Sequence, residues 1–326
     1  MRFIIPNYAL SDSFVENVAF TLREMGHEVI TAPRPSSIID HRVLHLLQQA
    51  YDAYAPNRLT HQEKWLLETY RTIKPDVVLA LTQSIREDIL VQLQRDHIAT
   101  ISWWGDTAAN MRKEGLLCKG WDLIFIKDKY AAFKLNTLGL PAHYLPEAMN
   151  PQWHKWNFTS IDGSLLFAGS VYDYRHYLIR RLAEENFDIK LFGHGTPRWA
   201  RPSVKAVFQK KYIIKEEKSL YFGSSLACIN STAMSEGNSV NCRAFEIAGA
   251  GGLQIMEYRQ AIEDCFDPGK EIVTFSTFEE LTDHIRRFQK DGDAAMKIRK
   301  AGFDRANAQH TYRHRLTSIL FQLGYK

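Results

Sequence analysis

The chain has 326 residues, 45% of them hydrophobic and 24% charged, a balance that excludes a disordered protein and suits two domains of about 150 residues each. Its 41 basic and 37 acidic residues leave a formal charge of +4, and bases are mixed with acids, as in Lys215-Glu216-Glu217-Lys218, so the basic stripe of a nucleic-acid binder is missing. The four cysteines, Cys118, Cys228, Cys242 and Cys265, form no Cys-x-x-Cys pair, which speaks against a disulfide framework and for free thiols in a reducing compartment.

The first residues are apolar only as far as Ile5, too short for a signal peptide, and predict a strand over 2–6. Phe14, Val18, Leu22 and Met25 then fall at helical spacing, and Gly26 stops that helix just before a second strand at 28–31. Helical stretches follow at 40–53 and 59–73, with Pro56-Asn57 as the turn between them. Strands at 76–81, 99–103 and 122–127 complete the first series. Pro141, Pro146 and Pro151 break the pattern and mark an interdomain linker over 141–158. A second series of strands is predicted at 164–168, 188–192, 211–214, 226–230, 253–257 and 272–275, ahead of helices at 277–289, 294–308 and 312–323. No internal repeat is evident, and no run approaches the ~18 apolar residues of a spanning helix. A cytoplasmic protein is expected.

Short β-branched runs alternating with amphipathic helices predict parallel sheets. The expected fold is α/β, with two Rossmann-like doubly wound parallel-sheet domains facing across a cleft. Residues 1–155 are expected to form the first domain and 156–308 the second. Residues 309–326 add a C-terminal helix expected to pack back on the first domain. Ligands of such sheets bind beyond the carboxyl ends of the strands.

The most informative segment leaves the strand at 226–230 through a polar loop and opens a helix near Asn241, with Asn238, Ser239 or Asn241 as its cap. Backbone N–H groups of Ser239, Val240 and Asn241 at such a start attract an anion. Arg243, in the first turn, opposes the helix dipole unless an anion sits there. Arg243 and Glu246 share a face. Either Arg243 meets phosphate while Glu246 accepts from a ribose diol, or the two pair with each other on the surface. Gly249, Gly251 and Gly252 read as the helix stop and the return to the next strand. Gly169-Ser170 ends the first strand of the second domain, where glycine lets backbone approach a ligand, and Arg175 repeats the dipole-opposed placement of Arg243. Two such arginines suit a diphosphate.

Arg243-Ala244-Phe245-Glu246, then Glu257-Tyr258-Arg259 and Pro268-Gly269-Lys270-Glu271-Ile272-Val273, resembles the C-terminal domain of the CgeB-like glycosyltransferases, of the group 1 GT-B transferases. The resemblance runs on through Glu279-Glu280-Leu281 to His310-Thr311-Tyr312-Arg313-His314-Arg315-Leu316, and back to Phe167-Ala168-Gly169-Ser170 and Arg175. It implies a GT-B fold, with 1–155 as the acceptor-side domain and 156–308 as the nucleotide-sugar-binding domain, and transfer of a sugar from a nucleotide diphosphate-sugar, UDP being the nucleotide that the breadth of the family favours. It also puts Tyr212 and Ile213 where relatives hold the base through backbone groups. Glu236 and Glu246 stand ten apart, against about eight between the paired glutamates of group 1 relatives, and Asn7-Tyr8-Ala9 replaces their glycine pair after the first strand.

Trp103-Trp104-Gly105-Asp106 ends the fourth strand of the first domain. Alternation sends one tryptophan into the core and the other, Trp104, toward the cleft, where its ring stacks on a sugar. Asp106 either serves an acceptor hydroxyl as its base or caps the following helix. Trp104 and Tyr8 are the acceptor-side candidates. Asp291-Gly292-Asp293 matches a metal motif formally but reads as a turn and cap. His41 with His45, and His310 with His314, lack the glutamate of a zinc motif. No metal and no cofactor are expected. The partners are a nucleotide-sugar donor and a carbohydrate, lipid-linked or protein acceptor, with no nucleic acid and no transmembrane segment. The rival expectations are a non-catalytic nucleotide-sugar sensor or partner subunit, and a nucleotide-sugar epimerase on the same architecture.

Overall fold

The computed structural model describes residues 1–34, 47, 59–111, 114–156 and 160–325. The helix expected at 40–53, the Pro56-Asn57 turn and the His41/His45 pair lie outside the described residues. The chain divides into two compact units, Met1–Leu145 and Pro146–Lys326.

In the first unit β1 (Arg2–Ile5), β2 (Glu28–Thr31), β3 (Val77–Leu81), β4 (Ala99–Trp104), β5 (Leu123–Ile126) and β6 (Ala142–Tyr144) form one parallel sheet in the order β2-β1-β3-β4-β5-β6. Every residue of β3 is buried, as a central strand covered on both faces requires. Helix α1 (Phe14–Glu24) is capped by Ser13, which accepts from the Glu16 N–H at 3.2 Å, and Gly26 ends it at φ +84°. Helix α2 (His61–Ile73) starts with a capping box in which Thr60 and Glu63 each accept the other's backbone N–H. Helices α3 (Glu87–Arg95) and α4 (Lys129–Thr137) complete the covering layers. Strand β6, three residues at the sheet edge beside Pro141, lies where the proline pattern predicted linker.

In the second unit β7 (Leu165–Ala168), β8 (Ile189–Phe192), β9 (Ala227–Asn230), β10 (Gln254–Glu257) and β11 (Val273–Phe275) form a parallel sheet in the order β11-β10-β9-β7-β8. Its helices are α5 (Asp173–Glu184), α6 (Pro202–Ala206), α7 (Lys215–Ser224), α8 (Cys242–Gly249), α9 (Phe278–Lys290), α10 (Gly292–Gln309) and α11 (Tyr312–Gln322). The strand expected at 211–214 is a loop. It runs past the end of β8 with a Gly193 N–H bond to the Lys211 carbonyl at 2.9 Å, and Ile213 packs into a core of Leu166, Phe192, Phe222 and Ile247. Only Ile213 of the run is buried, Lys211 and Tyr212 being exposed.

Arg299 on α10 is 2% exposed and donates to the carbonyls of Gly223, Gly251, Ser225 and Leu226 at 2.5–3.1 Å, satisfying chain ends behind α7 and α8. Asp291 caps α10 by accepting from the Ala294 N–H at 2.9 Å, the turn-and-cap role read from the sequence. His310 is equally structural: its Nε2 bonds to the Cys265 carbonyl at 2.7 Å and its Nδ1 faces Arg315 Nη2 at 2.8 Å. Burial holds this imidazole down at about 3, so it is neutral. His314 serves in the capping box of α11. The C-terminal helix is tied to residues 146–149 of its own unit: the Met149 N–H donates to the His310 carbonyl at 3.0 Å, and Arg315 Nε donates to the Pro146 carbonyl at 3.0 Å.

Candidate functional site

Each sheet changes winding direction once, between β1 and β3 in the first unit and between β7 and β9 in the second. The crevice at such a point, beyond the carboxyl ends of the strands, is where doubly wound sheets take ligands. The two units treat it differently. In the first, Asn7 spans it, donating to the Leu81 carbonyl at 2.9 Å and accepting from the Leu81 N–H at 3.0 Å. In the second, Gly169 follows β7 and Ser231 follows β9, and Arg175 clamps the two ends together.

Arg175 lies in the first turn of α5 and is 6% exposed. Its Nε donates to Ser231 Oγ at 3.0 Å, its Nη2 to the Ser231 carbonyl at 2.7 Å and its Nη1 to the Ser170 carbonyl at 2.7 Å. The Tyr172 ring lies 4.6 Å beneath the guanidinium. All three acceptors are neutral. Burial lowers the pKa of Arg175, and the nearby charge of Arg243 lowers it further. The group still stays protonated, because no protein guanidinium titrates in the ordinary range.

Gly169 has φ +126°, which L side chains rarely adopt. A methyl group there would sit 3.0 Å from Arg175 Nη1 and 4.0 Å from Arg243 Nη2. Both guanidinium groups thus reach the same small space beside a strand end with no side chain of its own. Gly193, after β8, approaches equally closely, since a methyl group on it would meet the Gly169 carbonyl at 2.6 Å.

Arg243, also in the first turn of its helix, donates Nη1 to Glu246 Oε2 at 2.6 Å. Lys218 Nζ donates to the other oxygen at 2.7 Å, and Lys218 is 2% exposed. The Arg243–Glu246 pairing weighed in the sequence is present, but it is buried and shared with a lysine. Burial alone would raise the Glu246 pKa; Arg243 and Lys218 outweigh it and hold the carboxyl well below its usual range. His154 lies behind, with Nε2 3.8 Å from Glu246 Oε1 and Nδ1 bonded to the Asn150 carbonyl at 3.1 Å. Burial pushes it down to about 3, so it adds no charge.

Asn241 caps α8, accepting from the Ala244 N–H at 3.2 Å, and exchanges two amide bonds of 3.0 Å with Asn230 on β9. Its side chain is thereby committed to the scaffold. Asn241→Ala is expected to cost about 1–2 kcal/mol of stability in a denaturant titration, from the lost cap and the stranded Asn230 amide. Ser239 is 1% exposed and donates to Glu236 Oε1 at 2.5 Å, while Val240 is fully buried among core residues. The loop carrying them is pinned from β10. Glu257 accepts from the N–H and hydroxyl of Thr232 at 2.8 and 2.7 Å, and Arg259 Nη1 donates to the carbonyls of Gly237 and Ser239 at 3.1 and 3.2 Å. Tyr212 stacks on His194, ring centroids 3.8 Å apart.

The structure therefore brings Gly169, Ser170, Arg175, Arg243 and Glu246 together, and adds Lys218, Ser231, Glu257 and Arg259, to which the sequence assigned no separate role. Lys218 carried one faint signal: it stands four before the buried Phe222 on the inward face of α7.

In the first unit Asp106 borders a cavity of about 660 Å³ with Thr82, Gln83, Ser84, Trp104, Asn110 and Met111. Asp106 accepts from the Thr107 N–H and from Asn110 Nδ2, both at 2.7 Å, while Thr107 caps the short helical turn that follows. Thr82 sits at φ +50°, an outlier for a β-branched residue, with its hydroxyl accepting from the Gly105 N–H at 3.0 Å. The expected split of the two tryptophans is corrected. Trp103 is fully buried and Trp104 is only 4% exposed, bonded through Nε1 to the Thr107 carbonyl at 3.3 Å, because β4 is central and covered on both faces. Trp104 reaches the cavity without offering an exposed ring. Tyr8 is half-buried just after Asn7. Among the described residues no three His, Cys, Asp or Glu side chains cluster as metal ligands would, and no helix is long and apolar enough to cross a membrane.

Residues 175–320 are similar to a family model described as glycosyl transferase-like. No curated protein matches the sequence. Among solved structures the chain is similar to HepE of Anabaena in complex with UDP-glucose, at 9% identity and a TM-score of 0.68 over 99% of both chains. It is also similar to sucrose-phosphate synthase from Thermosynechococcus elongatus, at 13% identity and a TM-score of 0.64 over 99% of this chain and 98% of that one. A glycosyltransferase from Rickettsia africae matches at 11% identity and 0.61, over 98% and 96%. Identities this low establish the fold, and that fold is GT-B: two Rossmann-like parallel-sheet domains.

Proposed function

We propose that this protein is a glycosyltransferase of the CgeB-like kind, moving a sugar from a nucleotide diphosphate-sugar to an acceptor hydroxyl without a metal ion. One observation carries the reading. Two first-turn arginines converge on Gly169; among the described residues Arg175 has no carboxylate partner, and Arg243 shares Glu246 with Lys218. Two fixed guanidinium groups beside a side-chain-free strand end match a diphosphate, whose negative charge grows as the sugar departs. Glu246 acts as a positioning residue for Arg243 and Lys218. UDP is the nucleotide we favour, supported by the UDP-glucose bound to HepE. Val240, Asn241 and Ile213, with side chains in the scaffold, contribute backbone groups, while Ser239 and Tyr212 border the nucleotide.

We assign the acceptor to the cavity at Asp106, which Trp104 also lines, and keep Tyr8, after β1, as a further acceptor-side residue. Each Asp106 oxygen has one local donor and keeps a second lone pair for an incoming hydroxyl. The compartment we propose is the cytoplasm. Incubation with a panel of nucleotide-sugars and acceptors, read by mass spectrometry, should yield a glycosylated acceptor at a rate unchanged by a chelator. A product that requires added divalent metal would remove the metal-free mechanism, and failure to bind every nucleotide diphosphate would remove the donor site.

A further inference from the structure

The second unit carries an exposed patch apart from the donor site, on the shoulder formed by α5 and the loop from β8 into α6. Trp199 is 58% exposed and Tyr177 50% exposed, unusually open for rings of their size. The Trp199 ring sits edge-on to His176 at 4.9 Å, and Arg180 lies 4.7 Å over the Tyr177 ring. Arg201 is bound to the same histidine through its backbone N–H, at 3.0 Å, and Lys205 Nζ donates to the Arg198 carbonyl at 3.1 Å. His176 is buried beneath Trp199 and Arg201, and the exposed Tyr177 follows it on α5. Arg180 has a carboxylate nearby, Glu184 at 3.3 Å, whereas Arg198, Arg201 and Lys205 have none among the described residues. His176 feels the excess: burial lowers its pKa first, and the charges of Arg180 and Arg201 lower it further.

We propose that this face docks on an anionic lipid surface. Amphipathic rings flanked by cations fit the headgroup layer, where tryptophan and tyrosine collect and each basic residue meets lipid phosphate. A second copy of the chain fits poorly, because a two-fold contact would set the unpaired cations against themselves. A nucleic acid fits less well than lipid, since Arg180 already covers the Tyr177 face that a base would stack on. The inference stands apart from the donor-site assignment and uses none of its residues.

The test is co-sedimentation of the full chain with vesicles of pure phosphatidylcholine or of phosphatidylcholine with about one third phosphatidylglycerol. Binding is expected only to the anionic vesicles, with a several-fold loss on raising the salt to about 0.5 M. Arg198→Glu with Arg201→Glu should lower that binding by about tenfold or more. Trp199→Ser with Tyr177→Ser should lower it independently, with circular dichroism and UDP binding as for the unmodified chain. Equal binding to neutral vesicles, no binding to anionic ones, indifference of both double variants, or displacement by a stoichiometric oligonucleotide would each overturn the proposal.

Discussion

Glu246→Ala is expected to destabilise the second unit by about 3–5 kcal/mol, because it removes the buried carboxylate that Arg243 and the nearly all buried Lys218 share. In a unit of this size that corresponds to a fall in Tm of roughly 10 °C. The cost arises from Lys218 more than from Arg243, whose side chain is 20% exposed and keeps some water. Adding Lys218→Met to Glu246→Ala should therefore recover much of the loss, since the buried ammonium that loses this carboxylate is then gone. The carboxyl's pKa is depressed in the folded state, so its contribution is fully present above the ordinary value of 4.5 and is lost progressively as pH falls below it. The stability difference between wild type and Glu246→Ala should accordingly narrow in acid. A single variant within about 1 kcal/mol of wild type near neutral pH would show that the ammonium finds water, and that the buried pair is not what holds α7 to α8.

Arg175→Ala and Arg243→Ala should each weaken UDP binding by about tenfold to a hundredfold, the worth of a charge-assisted hydrogen bond to phosphate, while leaving the weaker affinity for uridine nearly unchanged. The contrast between nucleotide and nucleoside separates a lost diphosphate contact from a loosened fold. Arg175→Lys should rescue little, because a lysine cannot hold the Ser170 and Ser231 carbonyls and a phosphate in one planar arrangement. Guanidinium groups stay protonated near neutrality, so these two residues should impose no pH dependence on UDP affinity between about pH 6 and pH 9. Calorimetric titration measures all of this. Should both alanine variants bind UDP within about threefold of wild type, the arginines serve the scaffold alone.

Most of the strand–helix alternation was legible because it depends on local pattern. The run at 226–230 is a strand because its apolar side chains suit a sheet buried on both faces, the run at 28–31 because β-branched Val29, Ile30 and Thr31 suit an edge strand, and Gly26 stops α1 by taking a positive φ. Where local pattern and tertiary packing diverge, reading by pattern fails. Of the run at 211–214 only Ile213 is buried, and it packs into the core from a loop, while β6 gains its neighbour from β5 despite the prolines around it. Of the site, Arg175 and Arg243 could be picked out because a cation in a first helical turn opposes the dipole, Gly169 because a strand end without a side chain admits a ligand, and Glu246 because it shares a face with Arg243.

The sequence by itself determined the alternating elements, the helix caps and the two misplaced arginines, since these follow from dihedral preferences, side-chain period and the dipole of a single helix. Only the tertiary structure decided that Arg175 joins the ends of β7 and β9, that Lys218 takes the second oxygen of Glu246, and that Trp104 is covered. The reason is physical: each of these depends on the order in which strands pair, and charges distant along the chain become partners only when that order brings them together in a medium too dry to screen them.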